Sequence, residues 1–142
     1  MVKYGGRKLS KGVDYTVAYK NNTVGKATVT IKGIGKYAES VNKTFIISPK
    51  AVALSALSAG KGQLTVKWKK GKDITGYEVQ YSLKKDFSAP GTVVIKKAGT
   101  VKAVLKKLAA GKTWYVRVRA YKAVKGKKYY SAWSAVKSAK VK

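Results

Sequence analysis

The sequence predicts an all-β protein, a β-sandwich of seven strands preceded by a small antiparallel β-module. Three observations carry this. Every clear apolar periodicity is two residues long, and turn residues punctuate the runs at short intervals. In the run from Leu108 to Tyr121, Trp114, Val116, Val118 and Ala120 alternate with Tyr115, Arg117, Arg119 and Tyr121. Such a strand buries its apolar face against a second sheet and turns an aromatic and cationic ladder outward.

Taken in order, Tyr15, Val17 and Tyr19 alternate with Thr16, Ala18 and Lys20, and Asn21-Asn22-Thr23 supplies a turn. Ala27, Val29 and Ile31 then alternate with Thr28, Thr30 and Lys32 until Gly33 and Gly35 break the run, and Thr44 to Ile47 form a further strand. Ser48-Pro49-Lys50 marks a boundary, because Pro49 lacks the amide hydrogen a continuing ladder needs. The expected modules are therefore residues 1–48 and 51–142, joined stiffly by a short connection. Strands in the second are expected at Ala51–Ser58, Gln63–Lys69, Gly76–Ser82, Thr92–Lys97, Lys102–Leu108, Thr113–Tyr121 and Tyr129–Val141.

The 142 residues are 45% hydrophobic, enough to bury a core. There is no cysteine and no histidine, which removes thiolate nucleophiles, disulfides, imidazole bases and zinc sites built on those ligands. The only acids are Asp14, Glu39, Asp73, Glu78 and Asp86, too few for calcium cages or a carboxylate pair set apart for hydrolysis. No catalytic residue, metal or cofactor is therefore expected. Against these five acids stand 32 basic residues, all lysine except Arg7, Arg117 and Arg119, for a net charge of +27. An excess of this size attracts polyanions, but lysine is a point charge without the planar fork that reads a specific partner. No run is long enough to span a membrane as a helix, and the opening MVKYGGRK has no apolar signal-peptide core.

Several landmarks in residues 51–142 resemble a fibronectin type III domain of the kind found in surface and secreted proteins of Gram-positive bacteria. They are Trp68 in LTVKWKK, GYEVQYS from Gly76 with Tyr77, Val79 and Tyr81 inward, Leu108 before the Gly111 turn, VRVRAY, and YYSAWS. The resemblance implies a tyrosine whose hydroxyl ties down a corner where this chain has Trp114, and an indole donates a hydrogen bond but accepts none. Residues 1–48 are similar to the latter part of a small bacterial Ig-like repeat, through GVDYTVAYKNN, ATVTIKGIGKY and KTFIIS. A module of this size has a marginal core and leaves an unpaired sheet edge, so the chain is expected to be part of a longer, multi-module protein. Ig-like domains of that class sometimes carry a lysine–asparagine isopeptide bond, but no spacing singles out Lys20, Asn42 and Glu39 for it.

Tyr130-Ser131-Ala132-Trp133-Ser134 resembles the WSxWS box of cytokine-receptor domains, with tyrosine in place of the first tryptophan. In that family the box stacks on arginines of the neighbouring strand, which here implies a structural cation–π ladder of Arg117, Arg119, Tyr130 and Trp133. Glu78 is expected to pair with Arg117 or Arg119 in water, contributing less than about 1 kcal/mol. Tyr115, Tyr121 and Tyr129, with Lys122, Lys127 and Lys128, are candidate contacts for a glycan or polyanion if exposed. The expected function is a non-catalytic extracellular spacer or adhesion module of a bacterial surface or secreted protein, associated with the wall. Its partners would be an anionic cell-wall polymer, an acidic glycan or a surface protein, and neighbouring modules of the same polypeptide. The alternatives are a basic protein binding nucleic acid or other polyanions without specificity, and an accessory module of a secreted glycosidase.

Overall fold

A computed structural model describes all residues, 1–142, and divides the chain into two compact units, Met1–Ile47 and Ser48–Lys142. The period-two alternation becomes thirteen strands, and a single 3-10 turn at Gly35–Tyr37 is the only helical element.

In the first unit, β1 (Lys3–Tyr4) and β2 (Arg7–Lys8) make a minimal hairpin through Gly5 and Gly6, both at positive φ. β3 (Tyr15–Lys20), β4 (Gly25–Gly33) and β5 (Ser40–Ile47) form an antiparallel sheet with β4 in the middle. Asn21 turns the chain between β3 and β4 by adopting φ 67° and accepting at Oδ1 from both the amide and the hydroxyl of Thr23, at 3.1 and 2.6 Å. This side-chain mimicry of a backbone turn is what asparagine does in such positions. Leu9 and Ala27 are the only apolar side chains of the unit that are buried, while Val41, Phe45 and Ile46 on β5 are exposed. Lys20 and Asn42 lie on strands, and both are exposed, as is Glu39. The Asn42 Oδ1 accepts from the Thr30 hydroxyl at 2.6 Å. No buried acid stands near to assist an isopeptide bond there.

The second unit packs two sheets face to face. One is β10 (Lys102–Lys106), β7 (Gln63–Trp68) and β6 (Leu54–Gly60); the other orders β12 (Lys127–Tyr130), β11 (Thr113–Val124), β8 (Gly76–Ser82) and β9 (Gly91–Ile95), with β13 (Lys137–Lys140) also on β11. Between them lies one apolar core built from Leu64, Val66 and Trp68 on β7 and from Tyr77, Val79, Val116, Val118 and Ala120 on the facing sheet. Burying each large side chain of that set contributes roughly 1.5–3 kcal/mol. Trp68 and Tyr77 meet across the layers at 5.2 Å between ring centroids. The buried Tyr77 hydroxyl accepts from the Gly71 amide at 3.0 Å and donates to the Ala98 carbonyl at 2.9 Å, so its polar atom is satisfied.

Three expectations change. The first strand of the sandwich starts at Leu54 rather than Ala51 and runs on to Gly60, with a register shift between Leu54 and Ala56. The last expected strand, Tyr129–Val141, is two strands, β12 and β13, separated by an irregular stretch from Ser131 to Val136. There the Ser131 amide bonds the Ala120 carbonyl and the Ser134 amide bonds the Val118 carbonyl, so three residues advance along two of β11, an offset that breaks the regular one-to-one ladder. Thirdly, the corner expected to need tyrosine is tied by Trp114, whose Nε1 donates to the Ala109 carbonyl at 3.4 Å, a long bond.

Gly76 and Tyr121 face one another in the register of β8 and β11. A Cβ on Gly76 would lie 2.0 Å from the Ile95 carbonyl oxygen and 2.9 Å from the Tyr121 hydroxyl. Gly76→Ala is expected to destabilise the second unit by about 2 kcal/mol or more, read as a lowered midpoint in urea denaturation, whereas Gly99→Ala, with open space around it, changes the unfolding free energy by no more than about 0.5 kcal/mol.

Candidate functional site

The outward face of β11 carries the densest chemistry in the chain. Arg117 and Arg119 sit two residues apart on a strand, so both guanidinium groups leave the same face. Opposite them on β8 stand Gln80 and Glu78, set by the register Arg117↔Gln80 and Arg119↔Glu78. Arg117 donates through Nε and Nη2 to the Gln80 Oε1 at 3.0 and 2.7 Å, and Arg119 donates through Nη2 to the Glu78 Oε1 at 2.8 Å.

The stretch from Ser131 to Ser134 brings a ring between the two cations. The Ser131 and Ser134 hydroxyls accept from the Ala120 and Val118 amides at 2.9 and 3.0 Å, standing in for the carbonyls of a missing strand. Held this way, Trp133 lies 4.3 Å from the guanidinium carbon of both Arg117 and Arg119. Tyr130 stacks on Arg119 at 3.7 Å, and Phe87 on Arg117 at 4.1 Å. The order along the face is Phe87, Arg117, Trp133, Arg119, Tyr130. Each contact contributes roughly 0.5–1 kcal/mol where exposed and more where water is excluded. Burial of the Arg117 guanidinium, with the like charge of Arg119 beside it, lowers its pKa from the ordinary arginine value.

Arg117, Arg119, Tyr130 and Trp133 thus come together in one stack. Phe87 was not among the expected residues. It comes from the loop after β8, where it adopts φ 57° and is buried; its only signal was an isolated aromatic in the polar run KKDFSAP. Gln80 was not among the expected residues either, although it shares the outward parity of Glu78 in GYEVQYS.

The expected placement of Glu78 in water is corrected. Glu78 is 7% exposed, covered by the stacked side chains over the sheet, and its bond to Arg119 is the one ion pair in the chain. A partly buried pair costs desolvation to form and is expensive to break from one side only. Arg119 Nε is buried without a partner, since rings occupy the faces of the guanidinium and Glu78 meets only one of its edges.

The six candidate glycan contacts do not form one patch. Tyr121 is 2% exposed, because Gly76 opposite has no side chain to hold it off and Tyr130 closes over it at 6.1 Å. The register Tyr121↔Tyr130, Lys122↔Tyr129, Ala123↔Lys128, Val124↔Lys127 puts Tyr115, Tyr121 and Lys128 on one face and Lys122, Tyr129 and Lys127 on the other. Lys128 rests 4.8 Å from the Tyr121 ring centroid and Lys127 5.5 Å from that of Tyr129. With both arginines bonded and stacked, the arginine face holds no free fork for a ligand. What remains open is lysine: every lysine except the half-buried Lys122 is exposed, and none is in an ion pair. No three acidic side chains converge, and no helix is long and apolar enough to cross a membrane.

A family model described as fibronectin type III domain matches residues 48–137. Among solved structures, a β-1,2-glucanase from Parabacteroides distasonis contains a region similar in fold, with a TM-score of 0.55 at 19% identity over 81% of this chain. The similar region is 17% of the glucanase chain, so this chain spans a small part of that enzyme's length. No curated protein sequence matches the chain.

The stack makes two energetic predictions. In a double-mutant cycle, Arg117→Ala and Trp133→Ala are expected to show a coupling of about 0.5–1 kcal/mol in denaturant unfolding; additive losses would remove the stack as a source of stability. Arg119→Ala is expected to cost about 3 kcal/mol, since it strands the Glu78 carboxylate, and Glu78→Gln less, since glutamine can bond arginine as Gln80 does beside it. Equal losses from the two substitutions would contradict that reading of the pair.

Proposed function

From the premise that this chain belongs to the fibronectin type III family, we propose that it is a non-catalytic spacer or adhesion module of a secreted or surface-attached bacterial protein, holding to anionic polymer through its lysines. One observation carries the reading: the lysine charge is displayed in water with no acid paired to it, while the two arginines of the sandwich are withdrawn into stacking. Spread point charges give attraction without a fixed register, which suits repetitive polymers of the cell wall or acidic glycans. The family itself serves mostly as non-catalytic modules, and the few acids, scattered or bonded, support that role here. We read residues 1–48 as part of a bacterial Ig-like repeat, a reading supported by their three-stranded antiparallel sheet, in which β3 and β5 each pair only with β4.

A second reading, an accessory module of a secreted glycosidase, is favoured by the likeness to a region of a glucanase chain. The two differ in what salt does. If charge is the mechanism, binding to a teichoic-acid-like polymer weakens at least about tenfold between about 50 and about 200 mM salt, measured by sedimentation or calorimetry. Salt-insensitive retention on a neutral β-glucan, with no affinity for the charged polymer, would replace the first reading with the second.

A further inference from the structure

At the end of the sandwich where β8 and β10 finish and β9 and β11 begin, an open cleft of about 630 Å³ carries two aromatic rings and three lysines. Its size falls within the roughly 300–1,000 Å³ of small-ligand sites. Tyr81 and Trp114 line it at 5.8 Å between centroids, tilted by 46°. Both are half-buried, so each keeps part of its ring accessible, and neither carries a cation of the protein. Gly91, opposite Tyr81 in the register, lets the ring lie against the backbone: a Cβ there would meet the ring carbons at 2.3–2.7 Å.

Lys84, Lys106 and Lys107 border the same space, all exposed and without an ion pair. Asp86, the acid of the adjoining loop, does not line the cleft. Its Oδ1 accepts from the Ser88 amide and hydroxyl, both at 2.9 Å, and these bonds hold its carboxyl below the usual aspartate range. Ala89 and Lys107, both lining the cleft, adopt φ 53° and 58°, conformations that residues with a Cβ hold only against strain.

We propose that this cleft binds an acidic glycan, a pyranose ring packing on Tyr81 and Trp114 while its carboxylate or sulfate is held by Lys84, Lys106 and Lys107. The combination decides the ligand class. A flexible phosphate polymer needs only the lysines and leaves the rings idle, and a neutral sugar uses the rings and leaves the lysines idle. An acidic sugar uses both, its C–H face on the aromatic carbon and its anion on the ammonium groups. The proposal rests on the polyanion reading above and gives it a place.

Calorimetry on the full chain with a hexamer of galacturonic acid, a neutral glucose hexamer and polyphosphate tests it. Lys84→Glu with Lys106→Glu is compared with Lys72→Glu with Lys97→Glu, exposed lysines at the opposite end of the sandwich that change net charge equally. The cleft pair should weaken the uronate hexamer at least about tenfold more than the distant pair, while polyphosphate loses equally to both. Quenching of tryptophan fluorescence by the hexamer should vanish in Trp114→Phe, a change that keeps a ring in place. Equal loss of hexamer binding in both lysine pairs, or quenching that persists in Trp114→Phe, overturns the cleft and leaves the diffuse lysine surface standing. Polyphosphate binding without hexamer binding also overturns it, and binding of neither polymer by the wild-type chain removes the polyanion reading as well.

Discussion

Along one edge of β11 the backbone is satisfied by three different partners in succession. β13 pairs with Thr113–Val116, the hydroxyls and amides of Ser131 and Ser134 meet Val118 and Ala120, and β12 pairs with Tyr121–Val124. A continuous strand in that place would lift Trp133 out of the space between the two arginines. Because a serine hydroxyl can take the position of a carbonyl, the chain leaves the sheet without orphaning a buried amide. The stack of Phe87, Arg117, Trp133, Arg119 and Tyr130 depends on that substitution, and so does the burial of Glu78 beneath it.

Arginine and lysine are separated by physics as much as by position. A guanidinium is planar and weakly hydrated, so Arg117 and Arg119 can be stacked between rings while their edges bond Gln80 and Glu78. An ammonium is strongly hydrated and would lose far more on burial. The lysines accordingly stay in water, leaving them free for anions, whereas the arginines contribute to the fold.

The two units differ in how they hold themselves together. The second has two sheets enclosing one core, and its buried side-chain polar atoms are bonded apart from Trp68 Nε1 and Arg119 Nε. The first has one three-stranded sheet, a hairpin of two-residue strands and two buried apolar side chains, and it leans on local devices such as the Asn21 turn and the bond of the Ser10 amide to the Asp14 Oδ2 at 2.8 Å. With so little apolar area removed from water, local bonding and sheet pairing carry a larger share of its order.

The all-β class, the two-faced strand at Trp114–Tyr121 and the inward Tyr77 and Val79 were legible in the sequence. Each rests on the two-residue repeat of a strand, a property a chain carries locally. The arrival of Phe87 from a loop, the burial of Tyr121 over Gly76 and of Glu78 under the stack, the break at Ser131–Val136 and the cleft between Trp114 and Lys84 were decided only by tertiary structure. They depend on which residue a long-range register places opposite which. No local period records that register, because it is set when the two sheets close on their shared core.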